Sequence, residues 1–182
     1  CEAAATCRYV GIKEEHIHFQ NLPFYETGTI EKNPMSEEDV VITVALLREI
    51  KPHQVYCAGD FADPHGTHIV CFNVVLEALR RCKAAGDPWI KDCWLWLYKG
   101  AWQEWDISEI EMAVPMSPEQ VMKKRFGIFI HQSQKDSVPF QGSDAREFWQ
   151  RAEERNSNTA NLYGKLGLTQ YAAMEAFVKW EY

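Results

Sequence analysis

Two histidines and two aspartates crowd into one short stretch of the chain, Asp60-Phe61-Ala62-Asp63-Pro64-His65-Gly66-Thr67-His68. Imidazole nitrogens and carboxylates are ordinary zinc ligands, and both groups also act as general acids and bases. A catalytic zinc takes three protein ligands and keeps a position for water, whose pKa falls to about 7. His65 and His68 stand three apart and Asp63 two before His65, so the right atoms are close in sequence. Pro64 and Gly66 favour a tight loop there over a helix. A plain turn suits the same residues, its histidines capping the next helix and hydrogen-bonding Asp60 or Asp63. An HxxH pair alone does not choose between these two.

The flanking elements decide where such a loop would stand. Gln54-Val55-Tyr56-Cys57 reads as a short buried strand bounded by Pro52 and Gly59, and residues 69–81 have the length and composition of a helix. The loop therefore lies at the carboxyl end of a strand, entering a helix, where ligands gather in open α/β sheets. Upstream, the pattern predicts a helix over 1–10 closed by Gly11, a strand over 17–22 ended by Pro23, and a loop over 24–36. Ser36, followed by Glu37, Glu38 and Asp39, caps a helix carrying Val40, Val41, Val44, Leu47 and Ile50, which ends before Pro52. Downstream, Gly86-Asp87-Pro88 ends the helix after the histidine loop, and residues 93–98 form a further strand.

This alternation is the pattern of a parallel sheet with helices on its faces. The second half differs: a short, edge-type strand near 110–114, a helix from Ser117 to about Gln134, another from Ser143 or Asp144 to about Tyr163, and a terminal amphipathic helix over 169–180. The expected fold class is thus α/β, within a single domain over 1–182. A Rossmann-like, mainly parallel sheet of three to four strands with flanking helices occupies 1–100, and a mainly helical part occupies 101–182.

Composition narrows the class. With 46% hydrophobic residues, 13% aromatics and seven tryptophans among 182 residues, the chain has the apolar surface a globular core needs. A formal charge of −7 argues against binding the phosphate backbone of nucleic acid. No apolar run approaches the roughly 20 residues needed to cross a bilayer, and no secretory signal precedes the first helix. The six cysteines lack a CxxC pair and lie mostly in apolar runs, which suits small core residues in a reducing cytoplasm. The chain opens on Cys1 inside a predicted helix, so the expectation is a fragment of a longer polypeptide.

Residues 63–68, Asp-Pro-His-Gly-Thr-His, resemble the second metal-site motif of the LmbE/PIG-L family of zinc-dependent N-deacetylases, and the segments 17–25 and 51–56 fit that family too. Segments 58–68, 100–105, 131–136 and 145–149 resemble the LmbE-like extension fused to glucosamine-6-phosphate deaminase-type proteins in some bacteria. The resemblance implies that His68 is a metal ligand. It makes His65 the group that stabilises an oxyanion or donates a proton to the leaving amine, with Asp63 or Asp60 orienting His65. The implied chemistry is hydrolysis of the acetamide of an amino sugar by zinc-activated water.

The family's first motif, an HPDD-type loop, has no counterpart, since His16, His18 and His53 lie beside strands in another context. The resemblance therefore implies a truncated LmbE-like domain with an incomplete zinc site, inactive alone, from a parent hydrolase of amino-sugar metabolism (a deaminase, a deacetylase or both). The alternative is a catalytically inactive accessory or oligomerisation domain. A missing first strand would leave a sheet edge uncovered and favour a homo-oligomer. The expected ligand is an amino sugar or sugar phosphate, with His131, Arg146 and Trp102 as candidate contacts. Against these stand a histidine placed favourably at a helix C-terminus and a solvated face over Arg146, Arg151 and Arg155, laced with i,i+4 pairs. Trp94 and Trp96 fit the core or a sheet face, whereas Trp102 and Trp105 fit a sugar platform.

Overall fold

The computed structural model describes residues 1–28, 32–61, 66–101, 103–134 and 145–182. Helices start and stop where local chemistry sets them. Helix α1 (Glu2–Val10) ends on Gly11 at φ 103°, a left-handed cap that glycine adopts without a Cβ penalty. Helix α2 (Glu37–Ile50) opens with a reciprocal capping box between Ser36 and Asp39. Helix α4 (Pro118–Phe129) uses Ser117 and Gln120 in the same way, with Pro118 in the first turn. Strands β1 (Gln54–Ala58), β2 (Trp94–Tyr98), β3 (Met112–Met116) and β4 (Ala173–Trp180) are joined in the order β1-β2-β4-β3. Two more helices, α3 (Thr67–Ala84) and α5 (Phe148–Lys165), complete the fold, with short 3₁₀ turns at Glu14–His16 and Pro88–Asp92.

The chain divides into two compact units, Cys1–Phe19 with Gly100–Ala176, and Gln20–Lys99 with Phe177–Tyr182. In the second unit, β1 and β2 pair in parallel, Gln54 against Trp94 through Ala58 against Tyr98. Leu95 and Leu97 on β2 are fully buried, and the neighbouring residues on that strand point the other way, the period of two expected of a strand. Helices α2 and α3 pack on each other and bury Val40, Val44, Leu47, Val74, Ala78 and Leu79. The rings of Phe61 and Phe72 meet at 4.9 Å, and Trp180 lies 5.3 Å from Phe72, edge on. The first unit is built differently. Its buried apolar residues are mostly small (Ala4, Ala101, Ala152, Ala160, Ala173), and Arg151, Arg155, Asn156 and Thr159 of α5 are buried among them.

Three expectations need correction. The segment 17–22 forms no strand: Phe19 is 55% exposed and Asn21 turns at φ 47°. Its apolar residues alone gave the strand pattern, and a strand needs a paired neighbour. The segment 169–180 is not a helix. Residues 173–176, Ala-Met-Glu-Ala, are good helix formers, but Phe177, Val178 and Trp180 favour a pleated surface. The free side of β2 settles the competition, pairing Tyr98 with Phe177 and Leu95 with Trp180. Because that pairing is antiparallel, the sheet is mixed rather than mainly parallel, and the part after residue 100 supplies two strands beside its helices. The alternation of α2, β1, α3 and β2 follows the sequence pattern.

Candidate functional site

Strand β1 delivers its carboxyl end to the loop that carries the acidic and imidazole side chains. The parallel ladder runs one residue beyond the strand, where Gly59 N–H donates to the Tyr98 carbonyl at 2.7 Å. The Lys99 ammonium donates to the Gly59 carbonyl at 3.0 Å, so a cation lies against the backbone where the loop begins. Asp60 follows directly and is 4% exposed, with its Oδ1 shut off from solvent. Gly66 re-enters the described chain as the N-cap of α3, at φ 66°. His68 is the second residue of α3, partly buried, with Nδ1 sealed from water. Asp60 and His68 therefore stand at the carboxyl edge of a parallel strand pair beside a helix N-terminus, the edge at which open α/β sheets hold ligands.

The thiol on β1 is inert. Burial, with Cys71 as a second cause, pushes the Cys57 thiol up to about 12, so at neutral pH it carries its proton and is a poor nucleophile or metal ligand. Of the remaining site residues foreseen from sequence, Asp63, His65 and Trp102 lie outside the described residues. His131 and Arg146 belong to the other unit from Asp60 and His68. His131 follows the C-terminus of α4 and lines a mostly apolar hollow of about 420 Å³ with Thr6, Val10 and Ile128. Arg146 precedes α5, is exposed and pairs with Glu154.

The solvated arginine face is corrected for two of its members. Arg151 and Arg155 are buried, and the Arg155 side chain is 6% exposed. Its two terminal nitrogens donate to Glu104 at 2.7 Å and Glu175 at 2.5 Å. Glu175 also accepts from Lys124 at 2.6 Å, and Lys124 donates to Asn156 at 2.7 Å. Thr159 donates to Glu104 at 2.9 Å. Burial alone would raise the Glu175 carboxyl, but the Lys124 and Arg155 cations outweigh it and hold it below the usual range. These side chains are engaged with one another, which fits a structural network better than a ligand contact.

Lys99 carries no sequence motif, and its place beside the loop follows from the pairing of the two parallel strands. The parallel register sets Ala58 against Tyr98, so the residue after β2 stands beside the residue after β1. Among the described residues, no three His, Cys, Asp or Glu side chains come together as a metal cluster. His68 and Asp60 supply one imidazole and one carboxylate, short of the three protein ligands a catalytic zinc takes. The described donor set does not make a zinc site by itself. No described helix is long and apolar enough to cross a membrane.

Comparison with known proteins bears on the fold and on one relative. No family model matches the chain. It is similar in structure to the conserved protein TT1542 from Thermus thermophilus, with TM-score 0.61 and 18% identity over 97% of this chain and 70% of that one. It is also similar to GalB, the 4-carboxy-2-hydroxymuconate hydratase from Pseudomonas putida KT2440, with TM-score 0.66 and 15% identity over 100% of this chain and 70% of that one. At these identities the likeness is one of fold. In sequence, 98% of the chain is 57% identical, over 179 residues, to a glucosamine-6-phosphate deaminase-like protein of Bacteroides thetaiotaomicron. The chain spans 27% of the length of that relative.

Proposed function

We propose that this chain is a ligand-binding, ancestrally hydrolytic α/β domain of an amino-sugar-metabolising protein, and that its working edge is the carboxyl end of β1 and β2. The observation that carries the reading is the buried Asp60 at the end of β1, followed by His68 in the first turn of α3. The name of the Bacteroides relative supports amino-sugar metabolism as the setting. The likeness of residues 63–68 to a zinc N-deacetylase motif supports the finer reading, an acetylated amino sugar or its phosphate as substrate and His68 as a zinc ligand. In that reading His65 handles the proton of the departing amine and Asp63 or Asp60 fixes its orientation. Lys99 braces the backbone on which Asp60 is mounted.

The test is made in the full-length protein, with zinc content and acetate release from N-acetylglucosamine and its 6-phosphate measured together. His68→Ala is expected to remove bound zinc and to lower acetate release at least 100-fold, the scale of losing an essential group. Asp60→Asn is expected to lower turnover about tenfold or more, the scale of losing the group that orients a working imidazole. Zinc content unchanged in His68→Ala, in a protein that binds zinc, overturns the metal role. A wild-type protein that binds no zinc and releases no acetate overturns the hydrolytic reading and leaves an accessory domain.

A further inference from the structure

We infer that the hollow at the carboxyl end of α5 is a second binding site, for a hexose-sized polyhydroxylated ligand bearing an acidic group. This goes beyond the function proposed above and rests on other residues, in the other unit of the chain. The hollow has a volume of about 600 Å³, within the roughly 300–1,000 Å³ of small-molecule sites. Asn158, Asn161 and Lys165 line it from α5, spaced three and four residues apart, so they follow one side of the helix. The chain then reverses through Gly167 at φ 93°, with Leu168 N–H donating to the Tyr163 carbonyl at 3.2 Å. The reversal returns Gln170 and Tyr171 to the same hollow. Gly164 faces Gln170 across the reversal: a Cβ there would meet Gln170 Cγ at 3.8 Å, an ordinary contact.

The lining dictates the ligand class. Three carboxamides each present a donor and an acceptor side by side, matching hydroxyls that both give and take hydrogen bonds. Tyr171 adds an aromatic ring and a hydroxyl. The acidic group is called for by charge. The chain carries −7 overall, yet this lining holds one lysine and no aspartate or glutamate. Among the described residues Lys165 has no ion-pair partner, although surface acids abound.

Calorimetric titration of the full chain with glucose 6-phosphate, glucose and inorganic phosphate tests the assignment. Glucose 6-phosphate is expected to bind more tightly than glucose, and inorganic phosphate more weakly than glucose 6-phosphate. Lys165→Met should weaken glucose 6-phosphate about tenfold and leave glucose unchanged. Asn161→Ala should weaken both sugars about fivefold. Both positions are exposed, so unchanged thermal melts accompany these losses. No binding of either sugar, phosphate bound as tightly as the sugar phosphate, or affinities untouched by the two substitutions would each overturn the inference. His68→Ala separates the two sites: sugar binding lost there but kept in the α5 variants counts against this hollow and for the edge of β1.

Discussion

Asp39 shows what one side chain does in this protein. Its carboxylate is fully buried and accepts from Phe24 N–H at 3.1 Å, Ser36 N–H at 2.7 Å and Ser36 Oγ at 2.6 Å. Burial pushes its pKa up, but the Ser36 and Phe24 hydrogen bonds outweigh that and hold it below the usual aspartate value. A depressed pKa means that the folded state prefers the ionised form. The stabilisation is complete above about pH 4, the unfolded value, and is lost as pH falls through the lowered folded value. Urea midpoints measured from pH 7 down to about pH 3 should therefore fall less steeply in Asp39→Asn than in the parent chain. Ser36→Ala removes a partner from the same cap and should cost about 1 kcal/mol at neutral pH. The thiols make a second test at this scale. Cys1 and Cys71 are exposed while Cys82 and Cys93 are buried and Cys57 is held protonated. Brief iodoacetamide treatment of native protein, read by mass spectrometry, should label Cys1 and Cys71 and spare Cys57, Cys82 and Cys93, with the part-exposed Cys7 between the two groups.

Between elements, each of the two units is held together by different means. Leu95, Leu97, Leu79 and Val74 give one unit an ordinary apolar core, so Leu79→Ala should cost about 3 kcal/mol of unfolding free energy. In the other unit, α5 is tied to Glu104 and to Glu175 of β4 through Arg155. Arg155→Ala would leave two partly buried carboxylates short of a cation and should cost about 3 kcal/mol, read as a lowered melting temperature. Glu175 adds a second acid-labile term: its folded pKa is depressed, so its contribution also disappears as pH falls below about 4.5. The β2–β4 pairing is tested by Val178→Pro, which places a residue without N–H opposite Leu97 and should open that ladder in the interior of the sheet, seen as fast amide exchange in β4.

At the scale of the whole molecule, an acidic chain of net charge −7 and pI near 5.4 is expected to leave duplex DNA unbound at about 0.15 M salt, which electrophoretic mobility reports directly. Structural likeness to two proteins at 15% and 18% identity shows how little sequence this architecture needs. Binary pattern and turn chemistry keep a fold long after individual residues have changed. Strand β1, which leads into Asp60, and helix α3, which carries His68, were legible from the chain alone, because a strand pattern bounded by Gly59 and a helix pattern follow one another in sequence. The α5 hollow was not, since Asn158, Asn161 and Gln170 carry no motif and meet only after Gly167 reverses the chain.

Local signals were enough to place the caps at Ser36 and Ser117, the stop at Gly11 and the alternation of α2, β1, α3 and β2, because each depends on neighbours within one helical turn or one pleat. Tertiary structure alone decided that residues 173–180 become a strand, that Arg151 and Arg155 turn inward, and that 17–22 stays unpaired. Those outcomes hinge on partners far along the chain: the open side of β2 for β4, and Glu104 and Glu175 for Arg155. Backbone pairing and charge neutralisation between distant segments leave no trace in local periodicity, so only the folded chain reveals them.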